Sequence, residues 1–338
     1  MLRAFTELVN PKPRTIDARM KNAPPDSSIE RALFERLGIA DARKRLAMET
    51  EHEARAIDFH STRFLHLENW YGAPALIRSC LRLVGMLSRA RRNALDIRII
   101  EHDLPIVGLD AAFDGFTLLH LSDLHVDIND VFMHALIERV RSVEYDLCVL
   151  TGDYRAKTYG PIDATLAAMT RLRAHIIAPI YGVLGNHDSI RMVPALEAMG
   201  VQMLLNESTV VRRGDASLRL AGIDDAHFFG ADDIPKASID VPRGSPSILL
   251  SHTPEVYRQA AQAGFDALLC GHTHGGQICL PGGYPVTLDA RIPRRFGRGR
   301  WRYEDMVGYT SPGAGTSIVD VRINCPPEIT LHRLRRWA

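Results

Sequence analysis

Between residues 116 and 272, five short apolar runs each stop on a polar residue or a glycine. They are "FTLLHLSD" (116–123), "DLCVLTGD" (146–153), "IYGVLGNHD" (180–188), "SILLSH" (247–252) and "DALLCGH" (266–272). Runs of this length, bounded by turn formers, read as strands buried on both faces. Apolar residues at helical spacing predict helices near 130–143, 161–174, 192–199 and 254–263. Strand and helix in alternation imply an α/β fold with a sheet that is at first largely parallel. The segments near 201–222 and 307–335 read as hairpin-connected strands, so the sheet system is expected to be mixed. The chain contains no internal repeat and no low-complexity region.

The texture changes near residue 100. Before it, "SSIERALFERL" and "ADARKRLAMETEHEARAI" carry apolar residues at helical spacing, punctuated by Pro24, Pro25 and Gly38. At 338 residues the chain fits one large domain with an extension. The expected division is a helical extension over 1–100 and a catalytic domain over 101–338. The N-terminal stretch lacks the apolar core of a signal peptide, and no apolar run reaches the eighteen or so residues that a membrane span needs. The five cysteines form no Cys-x-x-Cys pair, which argues for reduced thiols in the cytoplasm and against a disulfide framework or zinc ribbon. A formal net charge of +1 gives no overall attraction for nucleic acid.

The polar tips of the five runs carry the chemistry. The first ends in Asp123-Leu124-His125, the second in Gly152-Asp153 and the third in Gly185-Asn186-His187-Asp188. The fourth ends at His252 and the fifth at Gly271-His272-Thr273-His274. Ligands of open α/β sheets gather beyond the carboxyl ends of the strands, so five such tips can converge on one crevice. Singly, each acid reads as a turn cap and each histidine as a satisfied buried side chain. Five tips after five buried strands are not what independent caps produce. Asp123, His125, Asp153, Asn186, His252, His272 and His274 offer seven oxygen or nitrogen donors, more than one tetrahedral zinc uses. The set suits two adjacent cations sharing a carboxylate.

The ordered blocks "DLH", "GD", "GNHD", "SHTPE" and "GHTHGGQ" over 117–280 resemble the calcineurin-like metallophosphoesterase superfamily. That resemblance implies a four-layer α-β-β-α sandwich of two mixed sheets with metals at the sheet tips. Asp123, His125 and His274 would then bind one metal and Asn186, His252 and His272 the other, with Asp153 between them. His187 would be the catalytic histidine and Asp188 would orient it. The implied reaction is hydrolysis of a phosphodiester or pyrophosphate by in-line attack of a metal-bridging hydroxide, with His187 stabilising charge or protonating the leaving oxygen. The donor set admits Mn, Fe, Zn or Mg. Cys270, in an apolar strand, reads as core.

"GHTHGGQ" with "NCPPEITL" (324–331) most resembles a bacterial, membrane-associated branch that includes UDP-2,3-diacylglucosamine pyrophosphatase-like phosphodiesterases. Many members carry an N-terminal transmembrane helix; here a charged extension stands instead. The resemblance implies a phosphorylated small-molecule or lipid-linked substrate. A nuclease or cyclic-nucleotide phosphodiesterase would use the same metals, and a non-catalytic scaffold would have lost some of these residues.

Two basic segments bear on partners. "RIPRRFGRGRWR" (291–302) reads either as a phosphate-binding overhang, with Phe296 and Trp301 as apolar surface, or as a solvated loop. "PALIRSCLRLVGMLSRARRNAL" (74–95), wound as one helix, puts Arg78, Arg82, Arg89 and Arg92 opposite Leu76, Leu83, Val84 and Leu87, with Trp70 and Tyr71 preceding. It suits an anionic membrane surface, or the apolar stripe packs on the catalytic domain. The expected location is cytoplasmic, peripheral to the inner face of the membrane if that helix binds lipid.

Overall fold

A computed structural model describes residues 28–58 and 73–337. Two six-stranded mixed sheets lie face to face, with helices on both outer surfaces. The first sheet runs β1 (Arg98–Val107), β14 (Glu328–Trp337), β2 (Thr117–Leu121), β3 (Leu147–Thr151), β4 (Ile180–Val183) and β5 (Val201–Met203). From β2 to β5 the strands are parallel, as the alternation requires; β14 enters antiparallel to β2 and parallel to β1. The second sheet runs β12 (Gly299–Tyr303), β13 (Met306–Thr310), β9 (Ala267–Cys270), β8 (Ser247–Leu250), β7 (Ala216–Gly222) and β6 (Glu207–Arg213). A two-stranded ribbon, β10 (Cys279–Leu280) with β11 (Tyr284–Pro285), follows the β9 tip.

Strand side chains alternate between faces, and here both faces are apolar because both are covered. Leu118, Leu147 and Val149 point inward and meet Leu220, Ile248, Leu250 and Leu269 of the opposite sheet. Leu119, Leu121, Cys148 and Leu150 point outward under α1 (Ser28–Leu37), α2 (Ile39–Asp58), α5 (Asp130–Arg141), α6 (Asp163–Arg173) and α7 (Val193–Ala198). Leu249, Leu268 and Cys270 do the same under α8 (Ile234–Ala237) and α9 (Tyr257–Ala263). The result is the expected α-β-β-α sandwich. Leu33 of α1 and Ala42 and Leu46 of α2 are buried in the same core as β2 and β3.

Three expectations need correction. The 307–335 segment is not a hairpin: β13 lies in one sheet, β14 in the other, and residues 311–327 cross between them. The hairpin partner of β13 is β12, inside the arginine-rich run. Phe296 and Trp301 of that run are buried, stacked at 4.5 Å in the outer core, and are not apolar surface for a substrate. Residues 74–95 are not one helix. Gly85, at φ 69°, breaks them into α3 (Ala73–Leu83) and α4 (Leu87–Leu95). Trp70 and Tyr71 lie outside the described residues.

Candidate metal centre

The two sheets are stitched at one rim by the loops that leave their strands. Asp123 N–H donates to the Gly152 carbonyl and His125 N–H to that of Asp153, joining the β2 and β3 tips. Gly271 N–H donates to the His252 carbonyl, joining the β9 and β8 tips. Across the sandwich, His272 N–H reaches both carboxylate oxygens of Asp123 at 3.0 and 3.1 Å. His252 Nδ1 lies 2.8 Å from the Thr151 carbonyl. All five polar tips therefore meet on one crevice.

These loops are held in an unfavourable backbone conformation. Asp123, His125, Asp153, His272 and His274 all have positive φ, between 43° and 70°. Each such residue costs on the order of 1–3 kcal/mol and persists only where its surroundings impose it. Two glycines make the approach possible. A Cβ on Gly185 would overlap Asp153 Oδ1, and one on Gly271 would overlap Ser122 Oγ and Asp123 Oδ2.

The side chains that converge are those singled out in the sequence. His125 Nε2 is 3.2 Å from His274 Nε2, and His274 Nε2 is 3.4 Å from Asp123 Oδ1. Asp153 Oδ2 lies 3.8 Å from His125 Nε2, 3.4 Å from His252 Nε2 and 3.9 Å from His187 Nε2. His252 Nε2 is 2.8 Å from Asn186 Oδ1. Asp123, His125, Asp153 and His274, all buried, keep their donor atoms within 4.8 Å of one another. Beside it, His227, His272 and Asp289 bring their donor atoms equally close together. The ring of His227 sits 4.1 Å from that of His272, and its Nδ1 is 2.7 Å from Glu255 Oε2.

The donor atoms themselves indicate a cation. His125 gives its Nδ1 proton to the Arg155 carbonyl at 2.8 Å, which leaves Nε2 as a bare lone pair aimed at His274 Nε2. His252 likewise gives its Nδ1 proton to the Thr151 carbonyl, so the atom it turns to the crevice, 2.8 Å from Asn186 Oδ1, is Nε2. His272 Nε2 is buried with no partner at all. Unpaired buried acceptors are costly, and a metal ion satisfies each of these at once. The electrostatics agree. Burial alone would push the His252 imidazole down, but Asp153, Asp123 and Asp225 outweigh it and raise it to about 10. His252 thus carries an Nε2 proton that a bound cation would displace, and the crevice favours positive charge. Burial and the Asp153 charge lift the Asp188 carboxyl to about 7.

His187 is half-buried beside Asp153, and its Nδ1 lies 3.1 Å from Thr158 Oγ1. Asp188, expected to orient this ring, has loop amides as its hydrogen-bond partners. Asp188 Oδ2 accepts from the Asp153 and Gly185 amides and Oδ1 from the Tyr154 amide, so it ties the β3 and β4 loops together. A carboxylate three residues from Gly185 is well placed to satisfy the loop amides around it.

Other residues had no local signal. Glu49 of α2 accepts from Ser189 Oγ and Ile190 N–H, immediately beyond His187, and pairs with Arg45 at 2.9 Å. In sequence, Arg45 and Glu49 are an ordinary i,i+4 pair on a helix surface. Arg322, fully buried, donates to the Pro312 and Gly315 carbonyls and lies 3.3 Å from His274 Nδ1. Of the arginines at 291–302, Arg298 approaches the metal loop at Gly275.

Residues 116–276 match the sequence model of the family described as calcineurin-like phosphoesterase. The chain is 28% identical over 267 residues to the uncharacterized metallophosphoesterase YkoQ of Bacillus subtilis, covering 75% of this chain and 96% of that protein. It is 27% identical over 257 residues to the phosphodiesterase YaeI of Escherichia coli, covering 70% and 87%. It is 28% identical over 277 residues to the Bos taurus transmembrane protein with metallophosphoesterase domain, where the match covers 75% of this chain and 60% of that protein. The sandwich, the convergent donor atoms and these matches agree: the chain carries a calcineurin-like phosphoesterase domain and is a metal-dependent phosphoesterase.

Proposed function

We propose that the chain hydrolyses a phosphodiester or pyrophosphate at a centre of two divalent cations. Asp123, His125 and His274 hold one, Asn186, His252 and His272 hold the other, and Asp153 stands between them. The observation that carries this reading is the position of Asp153 Oδ2, within 3.8 Å of His125 Nε2 on one side and 3.4 Å of His252 Nε2 on the other. Two such cations supply charge for the phosphoryl oxygens and ionise a water near neutral pH.

The protein's own groups do the rest. The Arg155 and Thr151 carbonyls take the Nδ1 protons of His125 and His252, so both turn Nε2 to the crevice. His187 faces that crevice, oriented by Thr158, and is the group that delivers a proton to the leaving oxygen. Asp188 keeps the loops of Asp153 and Asn186 in register. The test is hydrolysis of bis-p-nitrophenyl phosphate by metal-stripped protein with Mn restored, beside Asp153→Ala and His187→Ala. Turnover should require Mn, vanish in Asp153→Ala, and fall about 10²–10⁴-fold in His187→Ala. Turnover indifferent to Mn or to Asp153 would sink the reading; salt-sensitive cleavage of DNA, RNA or a cyclic nucleotide would favour the nuclease or cyclic-nucleotide alternative.

The finer part of the reading is a lipid-linked substrate met at an anionic bilayer. Ile77, Leu81, Leu87 and Ala90 pack on Val319, Val321 and Ile323, and Asp320 pairs with Arg78 and Arg91. The turn between α3 and α4 is left bare, with Leu83 87% and Val84 66% exposed and Arg82, Arg89 and Arg92 exposed around it. An apolar knuckle ringed by arginines matches the interface of an anionic membrane. No helix among the described residues is long and apolar enough to cross one. Sedimentation with phosphatidylglycerol vesicles should be lost in Leu83→Asp/Val84→Asp and absent with phosphatidylcholine. Equal sedimentation of both proteins would remove the membrane from the account.

A further inference from the structure

Beneath the candidate centre, the polar end of the inter-sheet core holds a line of side chains that the reaction itself does not use. Ser122 Oγ donates to Asp123 Oδ2 at 2.6 Å. Thr151 Oγ1 donates to Ser122 Oγ at 2.7 Å. His120 Nε2 lies 2.8 Å from Thr151 Oγ1, and His120 Nδ1 lies 3.1 Å from His332 Nε2. Every member is buried, with His120, Ser122, Thr151 and His332 at 0% exposure.

Chemistry at the two ends decides where each proton sits. A carboxylate only accepts, so Ser122 must donate to it. A hydroxyl has one proton; Ser122 spends its own on Asp123 and accepts from Thr151. Thr151 in turn must accept from His120, which places the His120 proton on Nε2 and leaves Nδ1 as an acceptor. At the far end, His332 Nδ1 is buried without a partner. A proton there would be a stranded donor, so it sits on Nε2 and points at His120. Burial pushes the His120 imidazole down to about 3 and holds that of His332 well below its ordinary range, so both rings are neutral, as the tautomers require.

We propose that His332, His120, Thr151 and Ser122 form a one-way hydrogen-bond relay that positions Asp123 as a metal ligand. It occupies Oδ2 and turns Oδ1, which shares the His272 amide and lies 3.4 Å from His274 Nε2, toward the cation site. Chains of hydrogen bonds in a low-dielectric interior reinforce one another, so a break in the middle is felt at the carboxylate. These four are positioning residues. Their side chains reach the crevice only through Asp123; Thr151 meets His252 by its backbone carbonyl, which a side-chain change leaves in place, and Gly271 is kept bare so that Ser122 and Asp123 can lie against its backbone. The inference rests on the two-cation reading above.

Thr151→Val tests it, because the change keeps the side-chain volume and removes both the donor and the acceptor in the middle of the line. Mn binding to metal-stripped protein, followed by calorimetry, should weaken about 10–100-fold in Thr151→Val, the range typical of lost outer-sphere partners. Thr151→Ser, which keeps the hydroxyl, should restore it. In metal-free wild-type protein, ¹⁵N correlation spectra should give neutral, Nε2-protonated His120 and His332 whose shifts do not change between about pH 5 and 8, the range in which an ordinary histidine titrates. Should Thr151→Val fail to fold, those spectra stand alone. Nδ1-protonated or titrating rings, or equal Mn affinity in folded Thr151→Val, would overturn the relay while leaving the metal centre intact. Wild-type protein that binds no Mn would overturn the two-cation reading, and the relay with it.

Discussion

Replacing Arg45 by methionine should cost this protein more than any other single ion-pair change on its helices. Arg45 is 4% exposed. Its Nε lies 2.8 Å from Asp224 Oδ2, its Nη1 2.9 Å from Glu49 Oε1, and its guanidinium 3.7 Å from the centre of the Phe229 ring. Methionine keeps the apolar stem but strands two buried carboxylates. Losing one member of a buried pair costs about 3–5 kcal/mol, because the partner stays desolvated without a counter-charge. Glu49 keeps Ser189, the Ile190 amide and Arg191, so the lower end applies. At roughly 2–4 °C per kcal/mol for 150–250 residues, and toward the lower figure for a chain of 338, about 3 kcal/mol should lower the melting temperature by about 6 °C. Arg36→Met is the control. Its partners Glu197 and Glu207 are 28% and 32% exposed, and pairs open to solvent are worth about 1 kcal/mol or less. Glu49 also holds the chain just beyond His187, so kcat on bis-p-nitrophenyl phosphate should drop in Arg45→Met and not in Arg36→Met. An Arg45→Met protein that melts with the wild type, or above Arg36→Met, would refute the argument that α2 is built into the site.

Gly271→Ala should fold with a lowered melting temperature and lose most of its Mn affinity, since the added methyl occupies the place of Ser122 Oγ and Asp123 Oδ2; calorimetry checks it. Asp188→Asn should lower turnover at least tenfold with Thr158 and His187 untouched, because one of the oxygens serving the Asp153, Gly185 and Tyr154 amides becomes a donor facing donors; steady-state kinetics and a melting curve separate activity from stability. The His227–Glu255 pair gives a pH signature in metal-stripped protein. Burial would lower His227, but Glu255 outweighs it and the imidazole is raised from 6.5; burial would raise Glu255, but His227 and the Arg291 amide hold it below 4.5. A raised histidine stabilises below its unfolded pKa and loses that contribution as pH rises through the folded value. A depressed glutamate stabilises above its unfolded pKa and loses it as pH falls through the folded value. The destabilisation by Glu255→Gln should therefore be largest between about pH 4.5 and 6.5 and shrink on either side, read as the difference in melting temperature.

The strands and their tips were legible because each carries its own signal. A run such as "LLCGH" is apolar on both faces, which only a covered strand tolerates, and its polar end has nowhere to go but the rim. What the sequence hid depends on packing between distant segments. Arg45 and Glu49 look like a solvated helix pair until α2 is laid on the loops at 189–191 and 224–229. Phe296 and Trp301 look like exposed aromatics among arginines until β12 pairs with β13 and turns them under the sheet. His332 is 212 residues from its partner His120, and only the antiparallel return of β14 brings them together. The partners of Asp188 were hidden for a local reason: its sequence neighbour is His187, while its hydrogen bonds go to loop amides.

The central claim is that two cations flank Asp153 in one crevice. Anomalous diffraction at the manganese edge from crystals grown with Mn tests it most directly. The account predicts two peaks about 3.5–4 Å apart. One should lie against Asp123 Oδ1, His125 Nε2 and His274 Nε2, the other against Asn186 Oδ1, His252 Nε2 and His272 Nε2, with Asp153 Oδ2 touching both. A single peak, or one seated only among His227, His272 and Asp289, would contradict it.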